Sequence, residues 1–256
     1  MVKVIAHRGF SGRYPENTLL AIKKAVELGV DWVEIDVWST IDHCIVLMHD
    51  PTLSRTTNGK GRIFWRTFED IKKFRTKKAN QPISLLEEVF PLLKKGTQLN
   101  IEIKTVWAAK HVADLIKKHK VQKKVLVSSS QLAALKHVKN ELPSLRIAYI
   151  YFTATNIRWA FFITSVSKLF FKFTQFLVLA LAKSVNANNV HISYPFATKG
   201  FIKKLHKKGY KVNAWPINTR ALMKKVIRNG ADGIITDYPD RLKQVIKEIK
   251  KKNKRK

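Results

Sequence analysis

The sequence predicts an α/β fold, a (β/α)8 TIM barrel of eight parallel strands wrapped by helices. Two observations carry this. Short runs rich in β-branched residues alternate with amphipathic helical stretches along the whole chain, and the parallel strands number eight once one antiparallel arm is set aside. A length of 256 residues at 45% hydrophobic content suits one large core of this kind.

The elements follow in order. VIAHRG is the first strand, and ENTLLAIKKAVELG is a helix closed by Gly29 at its C′ position. WVEIDV and CIVLMHD come next, but only Trp38 to Cys44 lie between EIDV and IVLMHD, too few residues for a parallel crossover. They are therefore predicted to form an antiparallel hairpin with its tip at Ile41-Asp42-His43. SLLEEVFPLLKKG reads as a helix closed by Gly96. LNIEIK, KVLVSS, RIAYIY, NNVHIS, KVNAWP and DGIITD complete the barrel, with TRALMKKVIRNG as a helix closed by Gly230 before the last strand. The barrel thus carries an antiparallel hairpin extension after strand 2 and a long apolar helical insertion after strand 5.

That insertion separates RIAYIY from NNVHIS and holds half of the 14 phenylalanines, between Phe152 and Phe176. Thr164, Lys168, Lys172 and Gln175 form a narrow polar stripe at helical spacing on an otherwise apolar surface. Lys168 and Lys172 break the run before it reaches transmembrane length, so residues 152–186 are expected to lie on a membrane surface rather than cross it. Residues 1–245 are expected to form a single barrel domain and residues 246–256 a polybasic tail.

Composition narrows the partners. A net charge of +31 draws phosphates, anionic lipid and nucleic acid. Nucleic acid is not expected, since the basic residues are spread along the chain and no binding module is recognisable. An anionic membrane surface remains as a macromolecular partner, met by the Phe-rich segment and the terminal lysines. Cys44 is the only cysteine, which rules out an intrachain disulfide and leaves no zinc-finger spacing. With no secretory h-region in MVKVIAHRGF, the expected location is cytoplasmic, with peripheral attachment to the inner leaflet.

The chemistry gathers around two strands. Glu34 and Asp36 stand at i and i+2, so both point to one face of their strand, inward. The hairpin register sets Met48 to Asp50 opposite Glu34 to Asp36, which brings His49 beside the two carboxylates. Glu102 and Lys104 repeat the i, i+2 pattern, and a buried Glu-Lys bridge explains that pair as readily as a site does. Together Glu34, Asp36 and Glu102 offer three hard oxygen ligands, suited to Mg²⁺ or Ca²⁺ rather than zinc. His7 and Arg8 end the first strand. Gly9 after them allows a sharp turn and close approach of a ligand. Arg8 suits bidentate phosphate contact, and two histidines beside a metal suit an acid and a base. His191 reads as a structural histidine and His43 as a surface turn residue.

His7-Arg8-Gly9, Pro15-Glu16-Asn17-Thr18, Glu34-Ile35-Asp36-Val37, His49-Asp50, Glu102-Ile103-Lys104, Trp215 and Thr236-Asp237 occur in that order from Val4 to about Leu242. This series resembles the glycerophosphodiester phosphodiesterase family. The resemblance implies a TIM barrel that hydrolyses small-molecule glycerophosphodiesters to sn-glycerol 3-phosphate and an alcohol with a divalent cation. It implies Glu34, Asp36 and Glu102 as metal ligands and His7 and His49 as acid and base. It further implies Arg8 and Lys104 as stabilisers of phosphate charge and Trp215 as an aromatic wall beside the glycerol. Ile41-Asp42-His43, Ser128-Ser129-Ser130 and Trp215-Pro216-Ile217-Asn218 depart from the family's usual residues, and the last two bear on the shape of the substrate pocket. A lysophospholipase D-like activity at a membrane surface is the second reading. A non-catalytic basic lipid-binding barrel is the third, disfavoured because every alignable catalytic position carries the matching residue type.

Overall fold

A computed structural model of the chain describes residues 2–93, 96–151 and 171–253. Its centre is a closed ring of eight parallel strands: β1 (Lys3–Ala6), β2 (Trp32–Ser39), β4 (Gln98–Ile103), β5 (Val125–Ser129), β6 (Arg146–Tyr151), β7 (Asn189–Ser193), β8 (Lys211–Trp215) and β9 (Gly233–Thr236). β1 pairs with β9 on one side and with β2 on the other, which closes the barrel. The predicted hairpin is present. β3 (Ile45–Leu47) runs antiparallel to β2, pairing Val37 with Leu47 and Ser39 with Ile45.

Strands buried on both faces need near-continuous apolar sequence, and β2, β5 and β6 are buried along almost all of their length. Around the ring lie α1 (Leu19–Glu27), α3 (Ala109–Lys118), α4 (Leu132–Glu141), α5 (Phe171–Ser184), α6 (Lys199–Lys207), α7 (Arg220–Asn229) and α8 (Pro239–Asn253), with α2 (Phe68–Ile71) apart from them beside the hairpin. Threonines cap α1, α6 and α7 at the N-terminus, Thr18 accepting from Ala21 N, Thr198 from Phe201 N and Thr219 from Leu222 N. Gly230 closes α7 in the left-handed conformation, as its place after TRALMKKVIRN predicts.

SLLEEVFPLLKKG differs from expectation. Leu86–Leu92 forms 3-10 turns, because Pro91 has no N–H to donate to the carbonyl one α-turn back and its ring would clash there. The stretch between the hairpin and those turns, which no periodicity organises, builds a small second core. Val46, Met48, Leu53, Ile63, Ile71 and Ile83 are buried together, with Trp38, Phe68 and Phe74 packed against them. Asp42 at the hairpin tip ties it down by accepting from Phe68 N at 3.1 Å.

The surface expected of residues 152–170, and the polar stripe at Thr164 and Lys168, lie outside the described residues. In α5, Val178 and Ala182 are fully buried while Phe176 stays 69% exposed. Among the described residues no helix is long and apolar enough to cross a membrane. The polybasic stretch from Ile246 continues α8 without a break as far as Asn253. Leu242 and Val245 anchor that helix in the core, and Lys243 Nζ donates to the carbonyls of Leu28 and Gly29 at 2.6 and 3.0 Å.

Candidate active site

The site is built at the C-terminal ends of the parallel strands, where barrel loops converge. Asp36 of β2 stands directly beside Glu102 of β4 in the ladder, and Glu34 points to the same face two residues earlier. One oxygen from each of Glu34, Asp36 and Glu102 falls within 4.8 Å of the other two. A cavity of about 520 Å³ opens above them, lined also by His7, Arg8, His49, Lys104 and Trp215. Every residue expected in the site therefore reaches one cavity.

Arg8 enters by two routes. Its φ of +54° turns the chain after β1, so its amide N–H donates to Glu34 Oε2 at 2.8 Å. Its guanidinium lies 3.2 Å from Asp36 Oδ2 and donates to Glu16 Oε1 at 2.9 Å. Gly9, with φ +77°, does not clear space for a ligand as expected: a Cβ there would meet the backbone carbon of Ala21 at 2.7 Å, so the missing side chain lets α1 close on the turn. Asn17, also at positive φ, clamps Asp36 twice, donating to Oδ2 at 2.9 Å and accepting from its amide at 3.1 Å.

The two histidines are each held at Nδ1 by a carboxylate. His7 donates to Asp237 Oδ1 at 2.6 Å, and Asp237 also accepts from Asn218 Nδ2 at 2.6 Å and Ser11 Oγ at 3.0 Å. His49 donates to Asp50 Oδ1 at 2.6 Å. β3 ends at Leu47, so His49 lies just beyond the ladder, yet the register holds: Met48 N donates to Asp36 O at 3.0 Å, and Trp38 Nε1 to His49 O at 3.0 Å. Arg55 braces this side, contacting Asp50 Oδ2 at 2.5 Å and both oxygens of Glu16 at 2.6 and 2.9 Å.

Known proteins resemble this chain over most of its length. The Glycerophosphoryl diester phosphodiesterase family profile matches residues 7–241. A glycerophosphodiester phosphodiesterase of Caldanaerobacter subterraneus is 33% identical, covering 96% of this chain and 98% of its own. The chain belongs to the glycerophosphoryl diester phosphodiesterase family. Another glycerophosphodiester phosphodiesterase, from Bacillus altitudinis, is 29% identical over 98% of this chain and all of its own. An Oleispira antarctica phosphodiesterase, solved in complex with the product sn-glycerol-3-phosphate, superposes with a TM-score of 0.82 at 28% identity over 96% of each chain. Membership of that family makes the protein an enzyme, a glycerophosphodiester phosphodiesterase.

Charge in this phosphodiesterase site is uneven. Burial would raise the Asp36 carboxyl, but Lys104, 3.1 Å from Oδ1, and then Arg8 hold it far below the usual carboxylate range. Lys104 also donates to Glu102 Oε1 at 2.6 Å, so the Glu-Lys bridge weighed as an alternative to a site exists inside the site. Burial tends to lower Lys104, yet Asp36 and Glu102 keep its ammonium above the ordinary lysine value. At Glu34 the counterweight, the amide and charge of Arg8, is outweighed. Burial first, then the charges of Asp36 and Glu102, push its carboxyl well above the normal range.

Glu16, Asp50 and Asp237 belong to the motif series but had no role legible from it, and Arg55 lay in a stretch with no pattern at all. His191, expected to be structural, is buried in the cavity wall with its Nε2 at 2.9 Å from Asn213 Nδ2, and burial drives it down to about 3. His43 is an exposed turn residue as expected, at φ +64° and stacked on His111.

Proposed function

We propose that this phosphodiesterase hydrolyses glycerophosphodiesters to sn-glycerol 3-phosphate and an alcohol with a divalent cation, Mg²⁺ or Ca²⁺, held by Glu34, Asp36 and Glu102. The observation that carries the reading is this carboxylate triad, flanked by two histidines whose Nδ1 positions are already engaged. The donor set fits a hard dication. Glu34 Oε1 is buried with no hydrogen-bond partner among the described residues, and all three ligands are carboxylates. When bound, such an ion supplies positive charge to the phosphoryl oxygens and to Glu34.

The protein's own residues supply the rest. Arg8 and Lys104 offset charge that builds on the phosphate oxygens in the transition state, and both are positioned beforehand by Glu16, Asp36 and Glu102. With Nδ1 tied to Asp237 in one histidine and to Asp50 in the other, Nε2 is left in each ring for proton transfer. One takes a proton from the attacking water, or from the glycerol 2-hydroxyl where a cyclic phosphate forms first and water then opens it, as that oxygen bonds to phosphorus. The other gives a proton to the leaving alkoxide as the old P–O bond breaks. Burial lowers His49, which favours its neutral form before reaction. Trp215, at the end of β8, walls the glycerol side, and its Nε1 and Asn100 Oδ1 are buried polar atoms without a partner among the described residues.

Purified protein incubated with glycerophosphocholine and with lysophosphatidylcholine, each with and without EDTA, tests this. Release of glycerol 3-phosphate from the first substrate, lost in chelator and restored by Mg²⁺ or Ca²⁺, is the expected result. Turnover indifferent to chelator removes the cation. Lysophosphatidate as the faster product would favour the lysophospholipase D-like reading.

A further inference from the structure

Five large apolar side chains near the barrel mouth stand out in solvent: Ile41 is 53% exposed, Phe64 38%, Trp65 68%, Val106 37% and Trp107 67%. They come from three loops, the hairpin tip, the stretch after it and the exit of β4. The fold brings them together. The Phe64 and Trp107 ring centroids are 6.2 Å apart, and Ile41 N donates to the carbonyl of Arg66, the residue after Trp65, at 3.0 Å.

The patch abuts the catalytic cavity. Val106 N donates to Gln131 Oε1 at 3.0 Å, and Gln131 Nε2 donates to Lys104 O at 2.7 Å. Ile63 N, next to Phe64, donates to Pro51 O at 3.0 Å. Lys104, Gln131 and Pro51 all line the cavity, so apolar surface begins where the cavity wall ends.

Its surroundings are cationic. The Arg62 guanidinium sits 5.2 Å over the Trp65 ring, and Lys60 and Arg62 are exposed. The acidic groups of these loops are engaged elsewhere: Asp42 with Phe68 N, Asp70 with Thr67 N and Glu69 with Lys72. Exposed indoles, one of them under a guanidinium, match the headgroup zone of a bilayer, where amphipathic aromatic rings partition and basic residues meet lipid phosphates. A second copy of a chain carrying +31 would be repelled from the same face.

We propose that this aromatic patch seats the mouth of the barrel on an anionic phospholipid surface. Docked so, the cavity opens toward the lipid and takes diesters held at the surface. That consequence rests on the phosphodiesterase reading, whereas the docking does not.

The test uses the full chain with phosphatidylcholine vesicles made with and without phosphatidylglycerol, at physiological salt. Wild-type protein should sediment with the anionic vesicles. A double variant, Trp65→Ser with Trp107→Ser, should show a bound fraction lower by ~10-fold or more. Its melting temperature and glycerophosphocholine turnover should match wild type; turnover lost in a variant that melts like wild type overturns the proposal by placing the patch in catalysis, whereas a wild type that fails to turn over this substrate counts against the catalytic reading instead. Wild-type protein left in the supernatant overturns the proposal. So does a double variant that sediments like wild type, which would assign binding to other residues such as the lysines ending α8. A wild-type dimer in light scattering that the double variant breaks, without vesicle binding, overturns it in favour of a second copy. Should the double variant melt early, tryptophan fluorescence of the wild type against brominated acyl chains decides: quenching supports insertion and its absence overturns it.

Discussion

His7 Nδ1 donates to Asp237 Oδ1 at 2.6 Å across the seam where β1 pairs with β9, so the first and last strands of the barrel jointly hold one histidine. Burial would raise the Asp237 carboxyl, but hydrogen bonds from His7, Asn218 and Ser11 outweigh it and bring it down to about 2. Asp237 is thus an anion throughout the working range, fixing both the tautomer and the ring plane of His7. Asp237→Asn should lower kcat by ~10-fold or more with KM little changed, and His7→Ala by ~10²-fold, the scale for losing a positioned acid or base. Steady-state kinetics on glycerophosphocholine checks both, and an unchanged kcat in Asp237→Asn would detach this carboxylate from the mechanism.

Glu34 is where the proposed cation site opposes stability. Its buried Oε1 lacks a partner among the described residues, and its carboxyl is already pushed up by burial and by Asp36 and Glu102. Glu34→Gln should abolish chelator-sensitive turnover yet raise the melting temperature of metal-free protein by about 2–4 °C, as expected for relief of ~1 kcal/mol in a chain of this size. Asp36→Asn should instead lower it, because Lys104 and Arg8 would lose their counter-charge. Melting scans in EDTA separate the two.

Arg55 contacts both Glu16 and Asp50, and through them steadies Arg8 and His49. Arg55→Ala should reduce kcat by ~10-fold, less than the ~10²-fold of His49→Ala, since it removes a brace and not the proposed proton carrier. Arg55→Lys should recover little, because a single ammonium cannot span two carboxylates as the guanidinium does. His43→Ala should leave kinetics unchanged. If His43→Ala were damaging and His49→Ala silent, the catalytic assignment along the hairpin would be wrong.

His191 makes stability depend on pH. Buried beside Asn213, it is driven by burial down to about 3, against an ordinary histidine value of ~6.5. A base whose folded value is depressed favours the unfolded, protonated chain as pH falls. Stability is therefore full above ~6.5 and drains away between there and about 3, by as much as several kcal/mol. Urea melts at pH 7.5 and pH 5 should show the loss, and His191→Gln should flatten the slope. An equal slope in the variant would place the acid sensitivity elsewhere.

Local pattern was enough for much of this enzyme. Strand periodicity put Glu34 with Asp36, and Glu102 with Lys104, on inward faces, because side chains alternate strictly along a strand. The short connection from Trp38 to Cys44 demanded a hairpin, and its register brought His49 to Asp36. Sequence by itself thus determined the barrel, the family and every residue expected in the cavity.

Other features were decided only in three dimensions. Arg55 reaches Glu16 across 39 positions, and Asp237 reaches His7 across 230, so no local spacing records either pair. Pro91 overrode an apolar helical pattern through a single missing N–H. Phe64, Trp65 and Trp107 form one patch only because the loops carrying them meet beside the cavity rim. Periodicity reads the face a residue takes within its own element. Which distant elements share a space is set by tertiary packing: closure of the ring brings Asp237 to His7, and the folding of the stretch after the hairpin builds the second core and the exposed aromatic rim.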